Sequence, residues 1–332
     1  MMRTSPLRWL LPAVAMLAAG GCNRVQSVLL SSGDQASAAG GIWNLMLWVC
    51  VPIYVFVLIA LALAMRRRPT PAGTTRDRAI GRGLAAWLAL VGALLTVLVT
   101  ASFLVDRRIN RVAVAPLQIR VTAHQWWWDI QYLDPDVSKR FSTANELHLP
   151  VDRDTRIELA SADVIHSFWV PSLSGKLDLI PGRTNAMTLT PRRVGWYRGQ
   201  CAEFCGLQHA HMALDVRVDN AAGFAAWRAQ QLAAPQLPLS GAALAGEHLF
   251  ESSACAMCHA VAGTIAGGHG GPDLTHLASR RMLAAGTWPM DRDHLDRWIA
   301  DPQKPKPGAL MPAVPLDPRD RAAIDDYLMG LR

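Results

Sequence analysis

Twelve consecutive residues hold the densest chemistry in the chain: Cys201-Ala202-Glu203-Phe204-Cys205-Gly206-Leu207-Gln208-His209-Ala210-His211-Met212. Two thiols, an imidazole and a thioether in one loop make a soft donor set, and sulfur with imidazole suits copper. Cysteines four apart in a tight loop can turn both sulfurs to one side. His166, in Val164-Ile165-His166-Ser167-Phe168, offers a second imidazole from upstream, as neighbouring loops at one end of a β-sandwich can do. The two cysteines could instead form a disulfide in an oxidising compartment. That alternative leaves His209 and Met212 without a reason at their spacings. His211 is read as a solvated histidine or one lying behind the ligands.

A second constellation follows. Cys255-Ala256-Met257-Cys258-His259 is a C-x-x-C-H haem attachment motif. Its thiols add to the haem vinyl groups and the adjoining histidine ligates iron from one face; a zinc half-site is the competing reading. With Gly246-Glu247-His248-Leu249-Phe250 before it, and Gly270-Gly271-Pro272-Asp273-Leu274 and Gly308-Ala309-Leu310-Met311-Pro312 after it, residues 240–332 resemble a small class I cytochrome c. The resemblance implies Met311 as sixth ligand, and a His/Met pair raises the reduction potential. Met282, Met290 and Met329 are read as packing residues, and His269 and His276 as solvated loop residues.

These donors must be positioned by the rest of the chain. Leu117–Val121, Arg156–Leu159 and Ala213–Val218 alternate apolar and polar residues, and Pro150, Pro171, Pro181-Gly182, Pro191 and Gly195 punctuate the intervals. About a hundred residues of short strands and turns predict a β-sandwich. A helix is expected over Ala221–Leu232, then a stiff linker over Ala233–Leu239, then helices near Ala243–Glu251, Asp293–Ile299 and Pro318–Leu331. A linker of about seven residues holds the haem domain near the copper loop at an effective concentration of order millimolar.

Ile42–Met65 and Leu84–Val105 contain no charge. At about 1.5 Å per residue, each can cross a hydrocarbon core of about 30 Å. Residues 1–22 read as a secretory signal, with Arg3 and Arg8 ahead of an apolar run and Ala19-Gly20-Gly21 leading to Cys22, as in a bacterial lipoprotein signal. The formal charge of +7 is uneven: residues 1–111 carry 12 Arg against 3 acids, while residues 112–239 balance. The excess therefore belongs to the hydrophobic part, which excludes a nucleic-acid footprint and points to membrane topology. Arg66, Arg67, Arg68, Arg76, Arg78 and Arg82 against Asp77 place the loop between the two spans in the cytoplasm, with both ends outside.

Residues 40–232 resemble cytochrome c oxidase subunit II. His124-Gln125-Trp126-Trp127-Trp128, His166-Ser167-Phe168, Pro171-Ser172-Leu173, Lys176-Leu177-Asp178, Ile180-Pro181-Gly182-Arg183 and the cysteine loop carry the resemblance. It implies a two-helix hairpin bearing a cupredoxin domain with a dinuclear CuA centre. Cys201 and Cys205 would bridge two coppers. His166, His209, Met212 and the carbonyl of Glu203 would complete the set, and the Glu203 carboxylate would face a Mg or Mn ion shared with the catalytic subunit. Trp126 matches the family's electron-receiving residue. Strand alternation puts Trp126 and Trp128 on one face and Trp127 on the other. The carboxylate that many members place near the start of the second helix for proton uptake has no counterpart, since Arg78–Val105 contains none.

The expected architecture is a multi-domain membrane protein: a possible lipoprotein-type signal (1–22), a transmembrane hairpin (40–110), a cupredoxin β-sandwich (112–220), a helix and linker (221–239) and an all-α cytochrome c domain (240–332). The expected role is the electron-transfer subunit of a proton-translocating cytochrome c oxidase, multi-pass in a bacterial inner membrane with its soluble domains periplasmic. The expected partners are subunits I and III, a periplasmic cytochrome c donor and membrane lipid, but no nucleic acid; oxygen reduction occurs in another chain. A nitric or nitrous oxide reductase subunit and a membrane-tethered copper carrier or assembly protein are the rivals. The arginine-rich loop makes a direct prediction. A reporter fused near Thr74 behaves as cytoplasmic, and periplasmic behaviour there would reverse the topology.

Overall fold

The computed structural model describes residues 25–66, 74–239 and 241–332. The expected signal and Cys22 lie outside these residues, as do Arg67 and Arg68. Two helices come first, α1 (Asp34–Arg66) and α2 (Thr74–Ile109), both long and apolar enough to cross a membrane. They outrun the uncharged stretches because helical amide bonding continues into the polar flanks, where water can solvate side chains. Phe56 stacks on Trp87 between them, ring centroids 5.2 Å apart. The start of α1 is tied to the domain that follows. Asp34 accepts two bonds from the Arg192 guanidinium, at 2.8 and 2.7 Å, and the Ser32 amide donates to the Ser172 carbonyl at 2.6 Å. Such a bidentate pair fixes orientation as well as distance.

Two five-stranded sheets follow. One has the order β3-β2-β1-β5-β8: β1 (Leu117–His124), β2 (Trp127–Leu133), β3 (Phe141–Ala144), β5 (Thr155–Ser161) and β8 (Asn185–Leu189). The other runs β4-β10-β9-β6-β7: β4 (Glu146–Pro150), β6 (His166–Trp169), β7 (Leu177–Leu179), β9 (Gly195–Cys201) and β10 (Ala213–Asp219). Alternation decides which side chains enter the core. Ile119, Val121 and Ala123 of β1 and Trp128, Ile130 and Tyr132 of β2 all point inward and are buried. The Tyr132 hydroxyl, buried among them, donates to the His148 carbonyl and accepts from its amide, both at 2.8 Å. The expected β-sandwich is thus present, and the three strands read from alternation extend by a residue or more at their ends.

Helix α3 (Ala221–Leu232) matches its expected span and is capped by Asn220, whose side chain accepts from the Gly223 amide. The C-terminal domain has α4 (Gly241–Ser252), the short α5 (Cys255–Cys258), α6 (Arg292–Ala300) and α7 (Pro318–Leu328), with a two-stranded ribbon of β11 (Met282–Leu283) and β12 (Trp288–Pro289). Its core gathers Phe250, Leu277, Leu295, Ile324, Tyr327 and Leu331. His276 departs from its reading: it is buried, with neither ring nitrogen hydrogen-bonded. Leu274, Thr275 and Leu277 beside it in the chain are buried too, so the whole loop lies inside, which local polarity does not reveal.

The linker reading also needs correction. The helical domain does not merely hang beside the sandwich; it is docked on it. The Ala213 amide donates to the Ala285 carbonyl at 3.0 Å, the Arg281 amide to Glu146 Oε2 at 3.0 Å, and Gln208 Nε2 to the Pro307 carbonyl at 2.8 Å. Arg281 also pairs with Asp215 at 3.3 Å and covers the Trp196 ring. Proximity is set by contacts, and the linker needs only to span them.

Within the helical domain, α4 crosses α7 where Gly246 has no side chain. A Cβ there would lie 1.9 Å from the Ala323 carbonyl oxygen. Gly246→Ala therefore forces the helices apart at a cost of about 3 kcal/mol. Thermal unfolding followed at the haem domain should show a lower midpoint, with the sandwich unchanged; an unmoved midpoint would mean that the crossing is loose.

Candidate functional site

The copper ligand candidates converge at one end of the sandwich. β6 opens with His166, β9 ends with Cys201, and the loop from β9 to β10 carries Cys205, His209 and Met212. Strand pairing sets Phe168 opposite Cys201, and the Cys201 amide donates to the Met212 carbonyl at 2.9 Å. These backbone bonds bring the three segments together before any ligand chemistry. The sulfurs of Cys201 and Cys205 are 3.7 Å apart. His166 Nδ1 lies 3.8 Å from the Cys201 sulfur, His209 Nδ1 3.6 Å from the Cys205 sulfur, and Met212 Sδ 3.9 Å from the same atom. The Glu203 carbonyl is 3.2 Å from the Cys201 sulfur, while its side chain is exposed. No disulfide joins the cysteines.

Electrostatics favour a cation here. Contact with Cys205 pulls the Cys201 thiol down to about 3. That same contact holds the Cys205 proton and pushes its thiol far up. Two sulfurs this close share one proton unless positive charge lies between them. The donor set, two thiols, two imidazoles, a thioether and a carbonyl, fits copper. His166, Cys201 and Cys205 form the one cluster of metal-binding groups among the described residues, so no second cluster gathers beside the Glu203 carboxylate.

A cavity of about 450 Å³ lies between the helical domain and the β1–β2 turn, lined by Cys255, Cys258, His259, Met311, Leu277 and Leu295 on one side and by Gln125, Trp126 and Trp127 on the other. Helix α5 carries both cysteines. His259 Nδ1 donates to the Pro272 carbonyl at 2.7 Å, which leaves Nε2 as the free ligating nitrogen. Burial lowers the pKa of this histidine, keeping it neutral as a ligand must be. Gln303 Nε2 donates to the carbonyls of Ala309 and Met311, at 2.8 and 2.9 Å, and so shapes the methionine loop. Met257 and Met282 also line the cavity. Arg280 is buried on its wall, donating to the Asp273 carbonyl while its Nε has no partner. A buried guanidinium that pairs with no carboxylate among the described residues, beside a cavity of this size, suits a large flat ligand carrying carboxylates, as haem does.

Trp126 stands between the two sites. It occupies the turn joining β1 to β2 rather than a strand, so alternation does not govern it. Its indole Nε1 donates to the Cys205 carbonyl at 2.9 Å, and Gln125 Nε2 reaches the same oxygen at 2.7 Å. On its other side is the methionine loop: a methyl built on Gly308 would touch the Trp126 ring at 3.5 Å. Trp128 is core, edge-on to His166 at 6.3 Å, and Trp127 stacks on His124 at 4.3 Å. His211, exposed as its solvated reading expected, donates from Nδ1 to Gln208 Oε1 at 2.8 Å.

Residues 117–218 match the family model for the cytochrome c oxidase subunit II periplasmic domain, and residues 243–332 match that for cytochrome c. The chain is 37% identical over 215 residues to cytochrome c oxidase subunit 2 of Alkalihalophilus pseudofirmus, covering 64% of this chain and 61% of that protein. With subunit 2 of Bacillus subtilis it shares 31% identity over 233 residues, covering 67% and 64%. The crystal structure of the periplasmic domain of subunit II of cytochrome oxidase from Bradyrhizobium japonicum is 34% identical and covers 36% of this chain and 96% of that one, with a TM-score of 0.34. The chain thus spans a little under two thirds of these curated relatives. The two domains match these two family models, and those matches imply the CuA copper centre and haem c.

Asp163 is the residue that sequence reading missed. Its Oδ1 lies 2.7 Å from His166 Nε2 and takes the Val164 amide at 2.6 Å; its Oδ2 takes the Gln125 amide at 2.6 Å. It thereby orients the His166 ring and ties it to the Trp126 turn. An acid three residues before a ligand histidine was the available signal. Asp163→Ala should weaken copper binding about 10–100-fold, measured by competition with a chelator; unchanged affinity would remove its orienting role.

Proposed function

We propose, starting from a subunit II periplasmic domain joined to a cytochrome c domain, that this chain is the electron-transfer subunit of a haem-copper terminal oxidase. It would relay electrons from a periplasmic donor such as a cytochrome c to a separate catalytic subunit that reduces oxygen to water and translocates protons. Cys255 and Cys258 would attach haem, with His259 and Met311 as its axial ligands. Cys201, Cys205, His166, His209, Met212 and the Glu203 carbonyl would hold two coppers. When bound, these groups supply one-electron chemistry without proton transfer at the chain's own residues. The Glu203 carboxylate would serve a Mg or Mn ion at the boundary with the catalytic subunit.

The observation that carries the reading is the position of Trp126. Its indole donates to the cysteine loop, and a methyl built on Gly308 of the methionine loop would lie 3.5 Å from the edge of its six-membered ring. A copper carrier has no use for such a junction between a metal site and a haem cavity. The two apolar helices would anchor the chain in a bacterial inner membrane, with both soluble domains periplasmic. Subunits I and III would be neighbours there. With no carboxylate from Arg78 to Val105, the second helix lacks the residue that many members use for proton uptake.

A tagged full-length chain purified in mild detergent should bring a large polytopic subunit with it, and that complex should consume oxygen with reduced cytochrome c. Trp126→Ala should slow reduction of copper by the haem while both cofactors stay bound. A complex that reduces nitrous or nitric oxide instead of oxygen would overturn the assignment.

A further inference from the structure

We infer that Lys306 is a positioning residue that ties the methionine loop to Trp126 and presents its positive charge to a carboxylate of the haem. The inference rests on the electron-transfer reading for its purpose, but its geometry is independent of it. Lys306 is only 3% exposed. Lysine is almost never buried to this degree unless paired, yet no carboxylate lies within salt-bridge distance of it among the described residues. Its ammonium instead donates to two backbone carbonyls, Trp126 at 2.7 Å and Ala284 at 3.2 Å. One belongs to the copper domain and the other to the haem domain. The side chain is therefore a bridge across the docking surface, made at the residue that joins the two sites.

Two acceptors leave one of the three ammonium hydrogens unassigned. Lys306 lines the cavity, and so does Arg280, whose Nε is also without a partner. Two buried cations lining one cavity suit the two propionate carboxylates of a haem. The surrounding loop is stiff, which makes the placement reproducible. Pro305 and Pro307 flank Lys306, its amide donates to the Pro302 carbonyl at 3.2 Å, and its carbonyl accepts from Ala309 at 3.1 Å. Burial without a carboxylate pulls the lysine down to about 7; an anionic partner in the cavity would restore its charge. A fixed cation beside the haem disfavours the extra positive charge of ferric iron and so raises the reduction potential.

The test uses the full chain, loaded with haem and copper, as wild type, Lys306→Met, Lys306→Gln and Lys306→Arg. The haem potential is read by spectroelectrochemical titration, and the haem-to-copper rate after flash reduction of the haem. Both neutral variants should have a lower haem potential than wild type, and Lys306→Arg should keep it. A lower haem potential by itself favours transfer to copper, so a rate that nevertheless falls in the neutral variants reads the loss of the Lys306 bond to the Trp126 carbonyl. Equal potentials in wild type and neutral variants overturn the inference, as does an equal shift in Lys306→Arg. If the neutral variants fail to retain haem while Lys306→Arg retains it, the carboxylate pairing stands; failure of all three shows a packing role and overturns it. A wild-type chain whose haem does not reduce copper removes the electron-transfer reading, while the potentials still decide on Lys306.

Discussion

The bond from the Trp126 indole to the Cys205 carbonyl, 2.9 Å long, is the contact on which the functional end of the molecule depends. It joins the turn between β1 and β2 to the loop that carries four of the donor groups. The Gln125 amide extends the link to Asp163, and Asp163 orients His166. Both imidazole-bearing segments and the cysteine loop are thus referenced to one turn. Its position in turn comes from Trp128 two residues on, which is fully buried in the sandwich core. Apolar burial holds the scaffold, and a few directional bonds transmit that rigidity to the metal donors.

The docking of the haem domain follows a different physical logic. Beneath it lies a buried polar cluster on β4 and β10. His148 sits between Asp219 at 2.8 Å and Glu146 at 3.2 Å, stacked flat on Trp227. Burial would hold this histidine down, but the two carboxylates outweigh it and raise its pKa. Glu146 and Asp215 then reach across to Arg281 of the haem domain. The buried His148 pairs are poor sources of net stability, because ions lose hydration on burial, and the pair of the half-exposed Arg281 adds little. What they provide is register: each satisfied donor excludes sliding of one domain over the other. The haem domain itself carries almost balanced charge, so long-range attraction contributes little to its placement.

Much of this organisation was legible beforehand. Binary alternation exposed β1, β5 and β10, and uncharged length exposed the two spanning helices. The cysteine, histidine and methionine spacings picked out side chains that the fold brings together at both candidate sites, because ligand chemistry demands particular side-chain types at particular offsets. Residues read by local polarity fared worse. His276 looks solvated in sequence but is buried without a hydrogen-bond partner, and Trp126 looks like a strand residue but sits in a turn.

The sequence by itself determined which side chains could bind copper and haem, the number of apolar spans and the strand faces, since all three depend on residue type and short-range period. Only the tertiary structure decided that Asp163 backs His166, that Lys306 spans two domains, and that the haem domain rests on the copper end. These contacts join residues from 3 to 180 positions apart. The long ones arise from loop closure and shape complementarity between finished domains. No local pattern encodes the partner of a buried lysine when that partner is a backbone carbonyl, because every residue has one.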